Sequence, residues 1–363
     1  MNIIKTITYE INKILEINKD DSTWHLAFFT GFCMSAPLLV GAFLNNMHLA
    51  VISSMGTMLF LYTPKTPLYH RMIVLMACGF GFIVSFIFGG LAHFSPHISP
   101  IVLCVLTIIV TMTVRFYQLS NPGNFFFIMI ATISIFLPFK TSQLIEISGY
   151  FVLGTIWAVI VAFIYSLLTA KILKIEEIKK IKYDGFDNVV VDSVIIGFFV
   201  GFSILIAQII GIERAYWVPI STLAILQGMT LRSKWTRQIH RILGTVIGIA
   251  LVYFLLRLNL NSLQIAILIG VLGFLAQLTI TKHYGVATIF ITPMTVYMAE
   301  MSGVISGGAT TLIVARLEDI ILGSIIGFIG GICLHNLKFR KIIIKTIYFF
   351  INLLPSSKQD RAA

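Results

Sequence analysis

From Trp24 to Leu44 the chain carries no Asp, Glu, Lys or Arg, and runs of this kind return along most of its length. A hydrocarbon core roughly 30 Å thick is crossed by about 20 apolar residues in a helix, and only helices or closed barrels satisfy their backbone polar groups there. A chain built this way is excluded from the water-soluble folds. Hydrophobic residues make up 58% of the 363 and charged residues 11%, with a mean hydropathy of +0.95, so too little polar side chain exists to wet a globular surface.

Twelve apolar segments can be counted, six within 24–170 and six within 191–335, separated by the polar stretch "KILKIEEIKKIKYDGFDN". The second segment of each set, 48–62 and 216–229, is short for a span. The expected architecture is an all-α integral membrane protein of about 12 transmembrane helices in two parallel six-helix repeats, with short interfacial helices at both termini. The corresponding boundaries are an interfacial helix over 1–23, a first membrane unit over 24–170, a linker over 171–190, a second unit over 191–335 and an interfacial tail over 336–363. Ile3, Ile4, Ile7, Ile11, Ile14 and Leu15 recur at helical spacing among Lys and Glu, which reads as a helix on the membrane surface and not as a signal peptide.

Charge fixes the expected orientation. With the N-terminus inside and all twelve segments crossing, 22 of the 26 Lys and Arg residues fall in cytoplasmic segments, and Lys140, Arg214, Arg257 and Arg316 remain outside. Both termini are then cytoplasmic, and the setting is a bacterial-type inner membrane. A net charge of +11 in a soluble chain would suggest nucleic acid, but here retention of cytoplasmic loops and anionic headgroups account for it. No nucleic-acid partner is expected.

Four motifs recur in the same order. A short apolar segment leads to a basic loop ending His70-Arg71, then to an apolar helix with Gly79 and Gly81; in the second half the basic loop ends at His240-Arg241 and the helix continues with Gly244 and Gly248. Arg115 precedes "NPGNFFFIMIATIS" as Lys282 precedes "HYGVATIFITPMT", and "VLGTIWAVIVAF" matches "ILGSIIGFIGGI". An even number of crossings per unit makes such repeats parallel, and transporters commonly place their path at a repeat interface.

Tyr216-Trp217 leading into "VPISTLAILQ", the basic stretch and "RILGTVIG" resemble the signature of the fusaric acid resistance protein-like family, which is related to aromatic acid exporters. Its elements fall on Tyr216, Trp217, Gln227, Arg241, Gly244 and Gly248, and "ARLEDIILGSIIG", with Arg316, Asp319 and Gly323, resembles the family's final helix. The likeness covers most of the second half and is weaker in the first, where His48-Leu49 stands in place of the aromatic pair. It implies efflux of small, often aromatic, carboxylic acids using the proton gradient.

Candidate site residues follow, each with a plainer reading beside it. Arg241 and Arg71 would form a basic vestibule holding a carboxylate in a bidentate fork, or would snorkel to headgroups as orientation signals. Tyr216 and Trp217 would stack on an aromatic acid, or anchor the chain in an interfacial belt. Gln227 would bond substrate or tie helices together. Arg316, Glu318 and Asp319 would couple protons or gate the path if buried, and would be merely solvated otherwise. Gly244 and Gly248 suit close helix packing, and Pro37, Pro138, Pro219 and Pro293 permit bends.

The cysteines Cys33, Cys78, Cys104 and Cys333 lie in apolar segments without metal-ligand spacing, and no HExxH, GxSxG or Walker A motif occurs. Neither an enzyme, nor a metal, nor a cofactor is expected. The expected partners are a small organic anion, the lipid bilayer, and either a homo-oligomer or an envelope efflux component. Against the secondary exporter stand an organic-anion channel and a membrane assembly protein without transport activity.

Overall fold

Every regular element is helical among the described residues of the computed structural model, which are 24–119, 122–172, 175–178, 186–212, 215–227, 231–301 and 309–353. Of residues 186–187, 231–238, 299–300, 309–317 and 350–353 the backbone alone is described. The helix expected over 1–23 lies outside the described residues.

In chain order the helices are α1 (Trp24–Phe43), α2 (Met47–Gly56, continued as a 3-10 helix over Thr57–Tyr62), α3 (Leu68–His93), α4 (Ser99–Phe116), α5 (Phe125–Phe136) and α6 (Leu144–Thr169). There follow α7 (Phe186–Ile210), α8 (Trp217–Leu226), α9 (Leu231–Leu256), α10 (Ser262–Ile280), α11 (Tyr284–Met301), α12 (Ala309–His335) and α13 (Leu337–Leu353). Each of the twelve apolar segments expected from the sequence falls on one of α1 to α12. The protein is therefore a multi-pass helical membrane protein, with eight helices among the described residues long and apolar enough to cross a bilayer: α1, α3, α4, α6, α7, α9, α10 and α12. The remaining apolar helices are shorter, and α8, with 10 residues, is about 15 Å long. Shortness was expected of α2 and α8 but extends to α5 and α11 as well.

Local signals account for several boundaries. Asn261 and Gln264 cap α10 reciprocally, each side chain accepting from the other's backbone N–H at 2.9 Å. Gly211 stops α7 with φ +76°, a conformation that a side chain would strain, and the Ile212 N–H returns to the Ala207 carbonyl at 3.0 Å. Pro37 and Pro293 lie inside α1 and α11, whereas Pro219 sits in the first turn of α8, where no N–H is missed. Two stretches differ from expectation. The basic stretch around Arg232–Arg241 is not a loop but the opening turns of α9, since Lys and Arg are good helix formers. The linker is shorter than 171–190, because α7 begins at Phe186.

Helices meet through glycines set against carbonyl oxygens. A Cβ on Gly31 of α1 would lie 2.4 Å from the Gly270 oxygen of α10, and one on Gly201 of α7 would lie 2.7 Å from the Pro100 oxygen of α4. The same holds for Gly154 of α6 on Ser53 of α2 at 1.8 Å, and for Gly323 of α12 on Val218 of α8 at 2.5 Å. Gly244 of α9 faces the Gly285 oxygen of α11 at 2.4 Å, with Gly248 against Thr292 one turn later, so this pair does serve close packing. Because α1 packs on α10 and α7 packs on α4, the two halves of the chain are interleaved.

These approaches set an expected outcome. Gly154→Ala forces a Cβ into the Ser53 carbonyl and should destabilise the protein by about 1–3 kcal/mol or more. Gly149→Ala, on the same helix with nothing within 4 Å, should be neutral. Thermal unfolding midpoints in detergent, compared between the two variants, check this.

Candidate functional site

Arg71 stands in the first turn of α3, where the extended backbone of Pro67 ends and the helix begins. Its side chain turns inward instead of reaching the surface. Nη1 donates to Ser166 Oγ of α6 at 2.7 Å and Nη2 donates to the Thr66 carbonyl at 3.1 Å. Ser166 can accept because its own proton goes to the Ala162 carbonyl at 2.6 Å. Arg71 is 5% exposed, and its Nε has no hydrogen-bond partner among the described residues.

Arg241 is held in a similar way by different helices. Nη2 donates to Ser221 Oγ at 3.0 Å in the middle of α8, and Nη1 lies 3.4 Å from the Tyr284 hydroxyl at the start of α11. It is 7% exposed, and its Nε too lacks a partner among the described residues. With α9 opening at Leu231, Arg241 lies in the third turn, beyond the reach of the helix N-terminal dipole. Both arginine side chains are thus enclosed by protein.

Among the described residues the hydrogen-bond partners of both guanidinium groups are neutral. Arg115 and Arg340, by contrast, pair with an acid: Asp192 takes Arg115 on one oxygen and Arg340 on the other. A buried charge without a counter-ion is costly in low dielectric, and removing water without supplying an acid leaves it attractive to any anion that can enter.

Gln227, at the end of α8, is a tie between helices. Its Nε2 donates to the Pro122 carbonyl at 3.0 Å and to Asn124 Oδ1 at 3.1 Å, while Asn124 Nδ2 donates to Thr111 Oγ1 at 2.7 Å. The Tyr62 hydroxyl, at the end of the 3-10 continuation of α2, donates to the Gly123 carbonyl at 2.7 Å. Gly123 adopts φ +62°, which lets adjacent carbonyls face both short helices. Tyr216 and Trp217 are buried and not in an interfacial belt: their rings meet at 5.1 Å, and Tyr216 lies 6.0 Å from Phe136.

The charged group expected near the last span is divided. Glu318 is exposed, Asp319 is fully buried one turn before Gly323, and the Arg316 side chain lies outside what is described. The structure thus gathers Tyr216, Trp217, Gln227 and Arg241 around α8, whose every residue from Trp217 to Leu226 is buried. Asp319 is on the α12 helix packed beside it, and Arg71 stands apart on α3. Ser166, Ser221, Tyr284 and Asn124 were not foreseen. The hydroxyl pairs Ser53-Ser54 and Ser221-Thr222, each inside a short apolar segment, were the available signal.

Residues 202–330 match the model of the fusaric acid resistance protein-like family. That match contains α8 and every candidate except Arg71. An uncharacterized membrane protein of Bacillus subtilis (strain 168), YvaC, is 34% identical over 131 residues, which cover 36% of this chain and 20% of that protein. No solved structure matches the chain.

Gln227→Leu removes the donor of Asn124 Oδ1 and leaves the Pro122 carbonyl only the longer bond from the Phe125 N–H, at 3.3 Å. Loss of one side of a buried hydrogen-bond network costs about 1–3 kcal/mol. A lowered unfolding midpoint at unchanged membrane insertion is the expected result.

Proposed function

We propose that the protein is a membrane transporter, not an enzyme: a secondary exporter of small organic anions such as aromatic carboxylic acids, driven by the proton gradient. The observation that carries this reading is the pair of buried guanidinium groups, Arg71 and Arg241, each bound to neutral oxygens and each with an Nε left over. A carboxylate presents two oxygens at the spacing of a guanidinium fork and brings the missing negative charge. The fusaric acid resistance protein-like match over 202–330 supports the same class.

In this reading the chain consists of two parallel six-helix units in a bacterial-type inner membrane, with both termini cytoplasmic and the four short helices completing twelve passes. Support comes from the paired contacts: α1 on α10 and α7 on α4, α2 on α6 and α8 on α12, α3 on α5 and α9 on α11. Asp319 carries the coupling proton, since an intramembrane carboxylate that is fully buried is expensive to retain without such a use.

Proteoliposomes loaded with benzoate test the proposal. Arg241→Gln and Arg71→Gln should each slow efflux at least about tenfold at equal protein, the loss expected from one charge-assisted contact. Arg241→Lys, which keeps charge but not the fork, should retain part of the rate. Asp319→Asn should abolish benzoate efflux driven by an imposed pH gradient while leaving benzoate-for-benzoate exchange. Wild-type rates in the glutamine variants would overturn the site, and large unitary currents in planar bilayers would replace the exporter with a channel.

A further inference from the structure

The helix α13 turns away from the end of α12 at Asn336, whose Oδ1 accepts the N–H groups of Lys338 at 2.9 Å and Phe339 at 3.2 Å. It opens two residues after His335, the end of an apolar helix long enough to cross a bilayer, so a bilayer crossed by that helix would bring its headgroups to the start of α13. One face is taken up by protein: Phe339, Ile343, Ile344 and Ile347 pack against the cluster that holds Val191 and Ile195 of α7. Arg340 belongs to that face. Its Nη1 pairs with Asp192 and its Nη2 donates to Asn188 Oδ1 at 3.1 Å, while Arg115 of α4 holds the other Asp192 oxygen. The rotation of α13 about its own axis is therefore set by the protein.

That rotation turns Lys338, Lys341 and Lys345 outward in a line along the opposite face, at spacings of three and four residues. Exposed apolar residues flank the line, Leu337 and Tyr348 on one side and Ile342 and Phe349 on the other. The sequence of α13, "LKFRKIIIKTIYFFINL", contains no acid to neutralise the lysines.

We propose that this face of α13 is a binding site for anionic phospholipid of the surrounding bilayer. The three ammonium groups seat headgroup phosphates, and Ile342, Phe349, Leu337 and Tyr348 enter the boundary between headgroups and acyl chains. Charge complementarity selects the occupant: a row of uncompensated lysines at headgroup depth matches a row of phosphodiesters, and the flanking apolar side chains match the layer beneath. A second copy of this chain would set lysines against lysines across a two-fold contact.

Full-length protein in mild detergent, titrated with pyrene-labelled phosphatidylglycerol and, separately, with the phosphatidylcholine analogue, tests the site. Saturable binding of the anionic lipid is expected, weakening as salt is raised. The triple variant K338Q/K341Q/K345Q, which alters exposed side chains alone and should keep its unfolding midpoint, should bind roughly a hundredfold more weakly. Inorganic phosphate should displace no more lipid than chloride does at equal ionic strength, because the apolar flanks add nothing for a free ion. Equal binding of the two lipids, unchanged binding by the triple variant, displacement by phosphate beyond that by chloride, or a dimer that the triple substitution dissociates would each overturn the proposal.

Discussion

A glycine on one helix set against a carbonyl oxygen on the next is the contact on which this structure depends. Lipid is as apolar as leucine, so the hydrophobic effect gives helices in a bilayer little reason to associate with each other. Close approach restores one, through dispersion and through shape. Gly31 on Gly270, Gly154 on Ser53, Gly244 on Gly285 and Gly323 on Val218 bring backbones together where a single methyl group would hold them apart. The first joins the two halves and the other three each set a short helix against a longer one, and α8 is enclosed as a result.

Enclosure has a chemical price that the side chains around α8 meet. A helix of about 15 Å ends inside the protein, where its terminal polar groups cannot find water. Thr222 donates to the Gly323 carbonyl at 3.0 Å, and Gln227 satisfies acceptors beyond the last turn. Against this background of local satisfaction the two buried arginines stand out. Each is bonded, yet among the described residues every hydrogen-bond partner of either guanidinium is neutral. The contrast with Arg115 and Arg340, which share Asp192, is within one molecule.

The helices were legible because apolar runs of spanning length have one solution in lipid, and each expected segment is a helix. The start of α9 was not, since Arg232, Lys234, Arg237 and Arg241 read as a polar interruption although their residue types favour helix. Arg71 and Arg241 were legible as candidates from the repeated His-Arg pair. Their partners were not, because Ser166 lies 95 residues from Arg71 and Tyr284 lies 43 from Arg241, and such distances leave no mark on local pattern. Tyr216 and Trp217 look like a membrane-surface pair by position along the chain; only the packing of α5 and α12 around α8 shows that they face protein. Glu318 and Asp319 are neighbours in sequence, yet a helix turns them by about 100°, and that step separates an exposed acid from a buried one.

Tyr62 and Gln227 end two different short helices, and both are bonded to the three residues from Pro122 to Asn124. That small stretch of backbone acts as a shared pivot. Neither helix can slide along its axis without breaking bonds that also position the other, so the placement of one short helix is tied to that of the other through three residues of backbone.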